Sequence, residues 1–182
     1  MIDLNSRTYL ILFLFFTPLI AFNQFNSTYT LKILGVVQDG GLPHLGSDRI
    51  CCEDFEQNRY VTSIMLINNE TNESYLFDAS PDINEQLNFM GKGIKKNLKG
   101  IFLTHAHIGH YTGLMYFGRE ALNSKLMNVY AMPRMKKFLE QNGPWSQLVS
   151  LQNISITELS NNSMIEIDSS VFIQPIEVPH RA

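Results

Sequence analysis

Cysteine is nearly absent from this chain. Cys51 and Cys52 are the only two in 182 residues, and they are adjacent. Vicinal cysteines rarely bridge each other without strain, so a disulfide-stapled scaffold is excluded. An excess of positive charge is also missing, with 14 Lys plus Arg against 17 Asp plus Glu. That balance argues against a nucleic-acid binder working through a basic face. No repeat and no heptad runs through the sequence, which removes solenoids and coiled coils. The helical zinc signature His-Glu-x-x-His does not occur. No apolar run reaches the roughly 20 residues of a spanning helix. What is present is a 45% hydrophobic content with only 17% charged residues, enough to bury a core.

The longest apolar run is Tyr9 to Phe22, 14 residues interrupted by Thr17 and Pro18. As a helix it would rise about 21 Å, short of the roughly 30 Å hydrocarbon core. Residues 1–28 are therefore read as a signal peptide or an N-terminal membrane anchor. Export to the periplasm or the exterior, or anchorage at a membrane, follows as the expected location. Residues 29–182 form the globular part.

Within it, Thr30–Val37 reads as a strand, and Gln38–Ser47 as a loop rich in glycine and proline. Thr62–Asn68 and Ser74–Asp78 flank a polar connection and read as a hairpin. Ser80 is expected to cap a helix with Pro81 at its first position, running towards Met90. A short buried strand, Ile101–Thr104, feeds a loop from His105 to Gly109. Thr112–Leu122 reads as a helix, Val129–Met132 as a strand, and Pro133 opens a helix that stops at Asn142-Gly143. Strands are expected at Ile154–Leu159 and Val171–Glu177. The fold class is α/β (α+β) with mixed sheets.

Three of the five histidines, His105, His107 and His110, fall within six residues at a strand exit. His180 follows the last expected strand. Histidine is the commonest zinc ligand, and three of them with an open position make a catalytic site. Arg134, Lys136 and Lys137 read as a solvated helix face. Trp145 reads either as a packing residue or as the rim of a pocket.

The segment Phe102-Leu103-Thr104-His105-Ala106-His107-Ile108-Gly109-His110-Tyr111-Thr112-Gly113-Leu114 resembles the zinc signature of the metallo-β-lactamase fold superfamily. Tyr75 to Asp82 is similar to the strand-to-helix turn before that signature. The Gly-Gly-Leu-Pro loop with nearby cysteines is similar to the branch containing the pyrroloquinoline quinone biosynthesis protein B. The resemblance implies an αββα sandwich, of which residues 29–182 would supply the first half and the start of the second. It thus reads as an incomplete or degenerate member. It also implies a zinc-dependent hydrolase that uses a metal-bound hydroxide on an ester, lactone or phosphodiester. His105, His107 and His180 would hold one Zn²⁺, and His110 would serve a second ion or stand behind the first. Asp78 would either orient a ligand histidine or simply end its strand. Asp82 is expected to neutralise a helix N-terminus. One departure stands out. The superfamily places an aspartate between its second and third histidines, and here that position is Gly109. A second reading follows: a non-catalytic or cofactor-biosynthesis-type binding protein with at most one metal. A structural metal needs about four ligands, whereas Cys51, Cys52 and His44 offer three, so these thiols are read as metal-bound, free or buried. The expected partner is a small-molecule substrate, with no nucleic acid, and the N-terminal segment can contact a membrane.

Overall fold

The computed structural model describes residues 27–49 and 59–180. The apolar run Tyr9–Phe22, together with Cys51 and Cys52, lies outside those residues. Among the described residues, no helix is long and apolar enough to cross a membrane.

Six strands form one sheet in sequence order: β1 Tyr29–Gly35, β2 Ser63–Asn68, β3 Ser74–Phe77, β4 Leu98–Phe102, β5 Met127–Ala131 and β6 Ile154–Glu158. The pairs β1–β2 and β2–β3 are antiparallel, and the three pairs from β3 to β6 are parallel. The expected hairpin is β2–β3. Its turn is closed by Asn68, whose Oδ1 accepts the N–H groups of Glu70 and Thr71. Each parallel pair needs a crossover, and helices supply it. Helices α1 Ile83–Phe89 and α2 Lys92–Lys96 link β3 to β4. Helix α3 Ile108–Tyr111 and a 3₁₀ helix Thr112–Phe117 link β4 to β5. Helices α4 Pro133–Gln141 and α5 Trp145–Ser150 link β5 to β6.

Alternation along the strands decides which residues meet the helices. Met65, Leu76, Ile101 and Val129 point to one face. There they form a single core with Ile83, Leu114, Phe117 and Leu139 from the helical segments. Full burial of each such side chain contributes about 1.5–3 kcal/mol. In α4, Met135 and Leu139 are buried while Arg134 and Lys137 stay exposed, the solvated face expected; Lys136 pairs with Glu158 at 3.4 Å. Trp145 is a packing residue, 5.0 Å from the Tyr111 ring and 5.4 Å from Phe138. The opposite sheet face carries Ile64, Leu66 and an aromatic row. In that row Phe102 stacks on Tyr130 at 4.1 Å and on Phe77 at 5.2 Å. A separate hairpin, β7 Ile165–Asp168 and β8 Val171–Ile173, meets this face where the Tyr75 hydroxyl donates to the Ile167 carbonyl.

Several expectations need correction. The helix after β3 starts at Ile83, not at Pro81, and Asp82 is its N-cap residue. Neither Ser80 nor Asp82 caps it through its side chain. The Ser80 hydroxyl donates to Gln86, and the Asp82 carboxylate accepts the N–H of Val61. Gln86 in turn donates to the Val61 carbonyl. The buried Val61 N–H, in the chain entering β2, and the buried Gln86 side chain thus outcompete the helix end for these side chains. The helix expected over Thr112–Leu122 begins earlier and tightens to 3₁₀ geometry. Gly113 lies against the backbone of Ala79 and Ser80 and donates to the Ala79 carbonyl at 2.9 Å, leaving no room for a Cβ. The strand expected over Val171–Glu177 ends at Ile173, because Pro175 and Pro179 cannot donate to a ladder. The helices α2 and α5 and the strand β7 were not expected.

Candidate metal centre

Strands β1 and β3 both run antiparallel to β2, and β3, β4 and β5 run parallel to one another. The carboxyl ends of β1, β3 and β4 therefore emerge at one sheet edge. In open α/β sheets this is the edge where ligands bind. Three segments converge there: Gln38-Asp39 after β1, Asp78 after β3, and the run from Thr104 to His110 after β4.

Asp78 is the hub. It is 5% exposed and has φ +69°, a left-handed conformation that aspartate tolerates better than most residues. Its own N–H donates to the Phe102 carbonyl, and its carbonyl accepts from the Ser63 hydroxyl. That anchorage leaves the carboxylate facing the histidine run. The carboxylate accepts the Thr104 N–H at 2.8 Å, the Thr104 hydroxyl at 2.8–2.9 Å, and His110 Nδ1 at 2.7 Å. An ionised carboxylate can only accept, so the Thr104 hydroxyl donates to it. The Thr104 oxygen is then the acceptor for His105 Nδ1, 2.9 Å away. One carboxylate thus places the proton of two imidazoles on Nδ1 and frees both Nε2 lone pairs. This arrangement is the one that ligand histidines use.

The structure brings His105, His107 and His180 together. Their ring centroids lie 4.6–4.8 Å apart, and one nitrogen from each falls within 4.8 Å of the others. His105 Nε2 is 3.1 Å from His107 Nδ1. Burial, then the neighbouring His110, pushes the pKa of His105 down. This favours the neutral ring, the form that binds metal. Converging imidazole nitrogens on an exposed edge fit a divalent metal ion. His180 arrives there by a route other than the one expected. Residues 174–180 have no regular structure, and His180 does not end a strand. The stretch is held instead by the Asn162 N–H on the Pro175 carbonyl and by the Asn161 side chain on the Glu177 N–H.

His110 is 8% exposed. Its pKa is raised, first by the hydrogen bond to Asp78 against an opposing effect of burial. Its Nε2 lies 2.9 Å from Asp39 Oδ1, and Asp39 Oδ2 lies 3.3 Å from His107 Nδ1. Asp39, His105 and His110 form a second group whose ligand atoms lie within 4.8 Å of one another. Asp39 was missed in the sequence. It sits 66 positions before His105 with no sequence signal beside it, and only the direction of β1, parallel to β3 and β4, brings it here. His44 belongs to neither group; it packs over Gly40, with Nδ1 buried and lacking a hydrogen-bond partner among the described residues. Its suggested partners Cys51 and Cys52 lie outside them.

A mixed sheet presenting histidines and carboxylates at its carboxyl edge defines an α/β protein with a candidate metal centre. The chain belongs to the β-lactamase superfamily: the family profile described as "Beta-lactamase superfamily domain" matches residues 73–182. No curated protein matches it in sequence. Among solved structures it is similar to a diphosphatase from the PhnP family, with 23% identity and a TM-score of 0.58, covering 76% of this chain and 53% of that one. It is also similar to Zn²⁺-bound PqqB from Methylobacterium extorquens, with 19% identity and a TM-score of 0.67, covering 83% of this chain and 56% of that one. These likenesses establish the fold. The chain spans little more than half the length of either protein.

Proposed function

We propose that this chain carries the metal-binding half-site of a metal-dependent hydrolase that cleaves an ester, lactone or phosphodiester of a small molecule. The convergence of His105, His107 and His180 at the carboxyl edge of the sheet carries this reading. In this proposal the three rings hold a zinc ion, whose chemistry is to activate water and polarise the attacked oxygen. The chain's own residues do the rest. Asp78 and Thr104 fix the tautomer of His105, and Asp78 fixes that of His110. The exposed edge leaves one side of the cluster open to substrate. The alternative of a non-catalytic binding protein with at most one metal drew its support from Gly109. Asp39, seated beside Gly109, supplies a carboxylate there and weakens that alternative. We also propose that residues 1–28 direct export or anchor the chain, which fractionation of cells expressing it with and without those residues would test.

The metal proposal is tested by elemental analysis of the dialysed protein and of His105→Ala and His107→Ala. One or more zinc ions in the wild type and none at this site in the variants is the expected result. Hydrolysis of bis(p-nitrophenyl) phosphate, p-nitrophenyl acetate and a homoserine lactone, followed in parallel, assigns the bond class. Unchanged zinc content in both variants would refute the site.

A further inference from the structure

We propose that Asp39 is the carboxylate ligand of a second metal ion, held together with His110 beside the His105 group, and that Gly109 is glycine in order to admit it. The inference rests on the metal-dependent reading above. Three observations carry it. First, Asp39 Oδ1 lies 2.9 Å from His110 Nε2, the nitrogen left with a free lone pair once Nδ1 donates to Asp78. Second, Asp39, His105 and His110 each bring a ligand atom within 4.8 Å of the others, and the second oxygen of Asp39 faces His107 of the first group. The carboxylate therefore stands between the two sets of imidazoles. Third, a Cβ at position 109 would lie 2.6 Å from Asp39 Oδ1 and 2.8 Å from the backbone α-carbon of Asp39. The backbone cannot swing aside as a side-chain tip can. Any residue larger than glycine at 109 expels Asp39, so the two positions behave as one unit. A carboxylate at 39 requires glycine at 109, and a carboxylate at 109 requires Asp39 to retreat.

Asp39 is also placed to act in a second way, as an acceptor that clamps His110 as an imidazolium without touching metal. Titration of the full chain with Zn²⁺ alone, by calorimetry with elemental analysis of the product, separates the two. The wild type is expected to bind two ions. Asp39→Asn, nearly isosteric and half-buried, should keep the first ion at wild-type affinity and bind the second at least about 100-fold more weakly, beyond the effect of losing a partner behind a ligand. Gly109→Asp alone should also weaken the second ion, through the collision with Asp39. Gly109→Ala, which brings the same Cβ without a new carboxylate, should weaken it likewise. Far-UV circular dichroism and a thermal melt check that each variant is folded; should Asp39→Asn not be, Gly109→Ala decides the matter, loss of the second ion supporting the proposal and two ions at unchanged affinity overturning it. Two ions bound with unchanged affinity in Asp39→Asn would overturn the proposal. So would one ion in both wild type and Asp39→Asn, a result that leaves the hydrolase reading standing. No ion bound by the wild type overturns both.

Discussion

Asp78→Ala should be among the most damaging single substitutions in this chain. The carboxylate is almost fully buried and serves three donors: the Thr104 N–H, the Thr104 hydroxyl and His110 Nδ1, at 2.7–2.9 Å. Alanine leaves all three without an acceptor in a place where water has little access. Removing one partner of a buried charged network costs about 3–5 kcal/mol. Alanine must also adopt φ +69°, a left-handed conformation that costs about 1–2 kcal/mol for a residue with an ordinary Cβ. The sum, about 4–7 kcal/mol, is a large part of the roughly 5–15 kcal/mol that holds a domain together. Asp78→Asn separates the two contributions. Asparagine tolerates the left-handed backbone and keeps one acceptor for Thr104, so it should lose about 1–3 kcal/mol. It should nevertheless impair metal binding, because its amide N–H turned towards His110 Nδ1 moves the ring proton to Nε2. The assay is urea unfolding of the metal-free protein by far-UV circular dichroism, alongside zinc titration. An Asp78→Ala variant within about 1 kcal/mol of wild type would refute the hub role. Zinc affinity unchanged in Asp78→Asn would refute the tautomer argument.

Phe102→Ala removes the centre of the aromatic row on the sheet face away from the helices, where Phe102 is 3% exposed, and should cost about 3–5 kcal/mol in urea melts. Gly113→Ala must push its segment off the Ala79–Ser80 backbone, and a loss of about 2 kcal/mol or more is expected. Gly93→Ala, in a helix with nothing within 4 Å, should gain about 0.5–1 kcal/mol and serves as its control. In the metal-free protein, nuclear magnetic resonance titration should show His110 holding its proton to higher pH than His105. Because the pKa of His110 is raised on folding, its stabilisation is complete below the ordinary value of about 6.5 and fades as pH climbs through the raised one. The stability cost of His110→Ala should therefore be larger at about pH 6 than at about pH 8, and an equal cost at both would contradict the ion pairing with Asp78.

The sheet was legible where local chemistry and burial agree. Short apolar, strand-forming runs marked β1 and β2, the polar connection after Asn68 marked the hairpin, and Pro133 with Asn142-Gly143 bounded α4. Local signals misled where a distant partner made a better offer. Ser80 and Asp82 look like helix-capping residues, yet the unpaired backbone of Val61 and the side chain of Gln86 claim them. Gly113 looks like one glycine in a helix, yet its contact with Ala79 draws the segment into a 3₁₀ turn.

The site divides along the same line. Three histidines within six residues at a strand exit mark a candidate metal centre by themselves, because one rigid strand end presents them together. The sequence also shows that position 109 holds no ligand. What it does not show is that a carboxylate stands there all the same. Asp39 reaches that space only because β1 runs parallel to β3 and β4, which brings its carboxyl end to the same edge across 66 residues of chain. Strand direction is a property of the whole sheet, set by pairing between distant segments, and no local pattern around Asp39 or Gly109 encodes it.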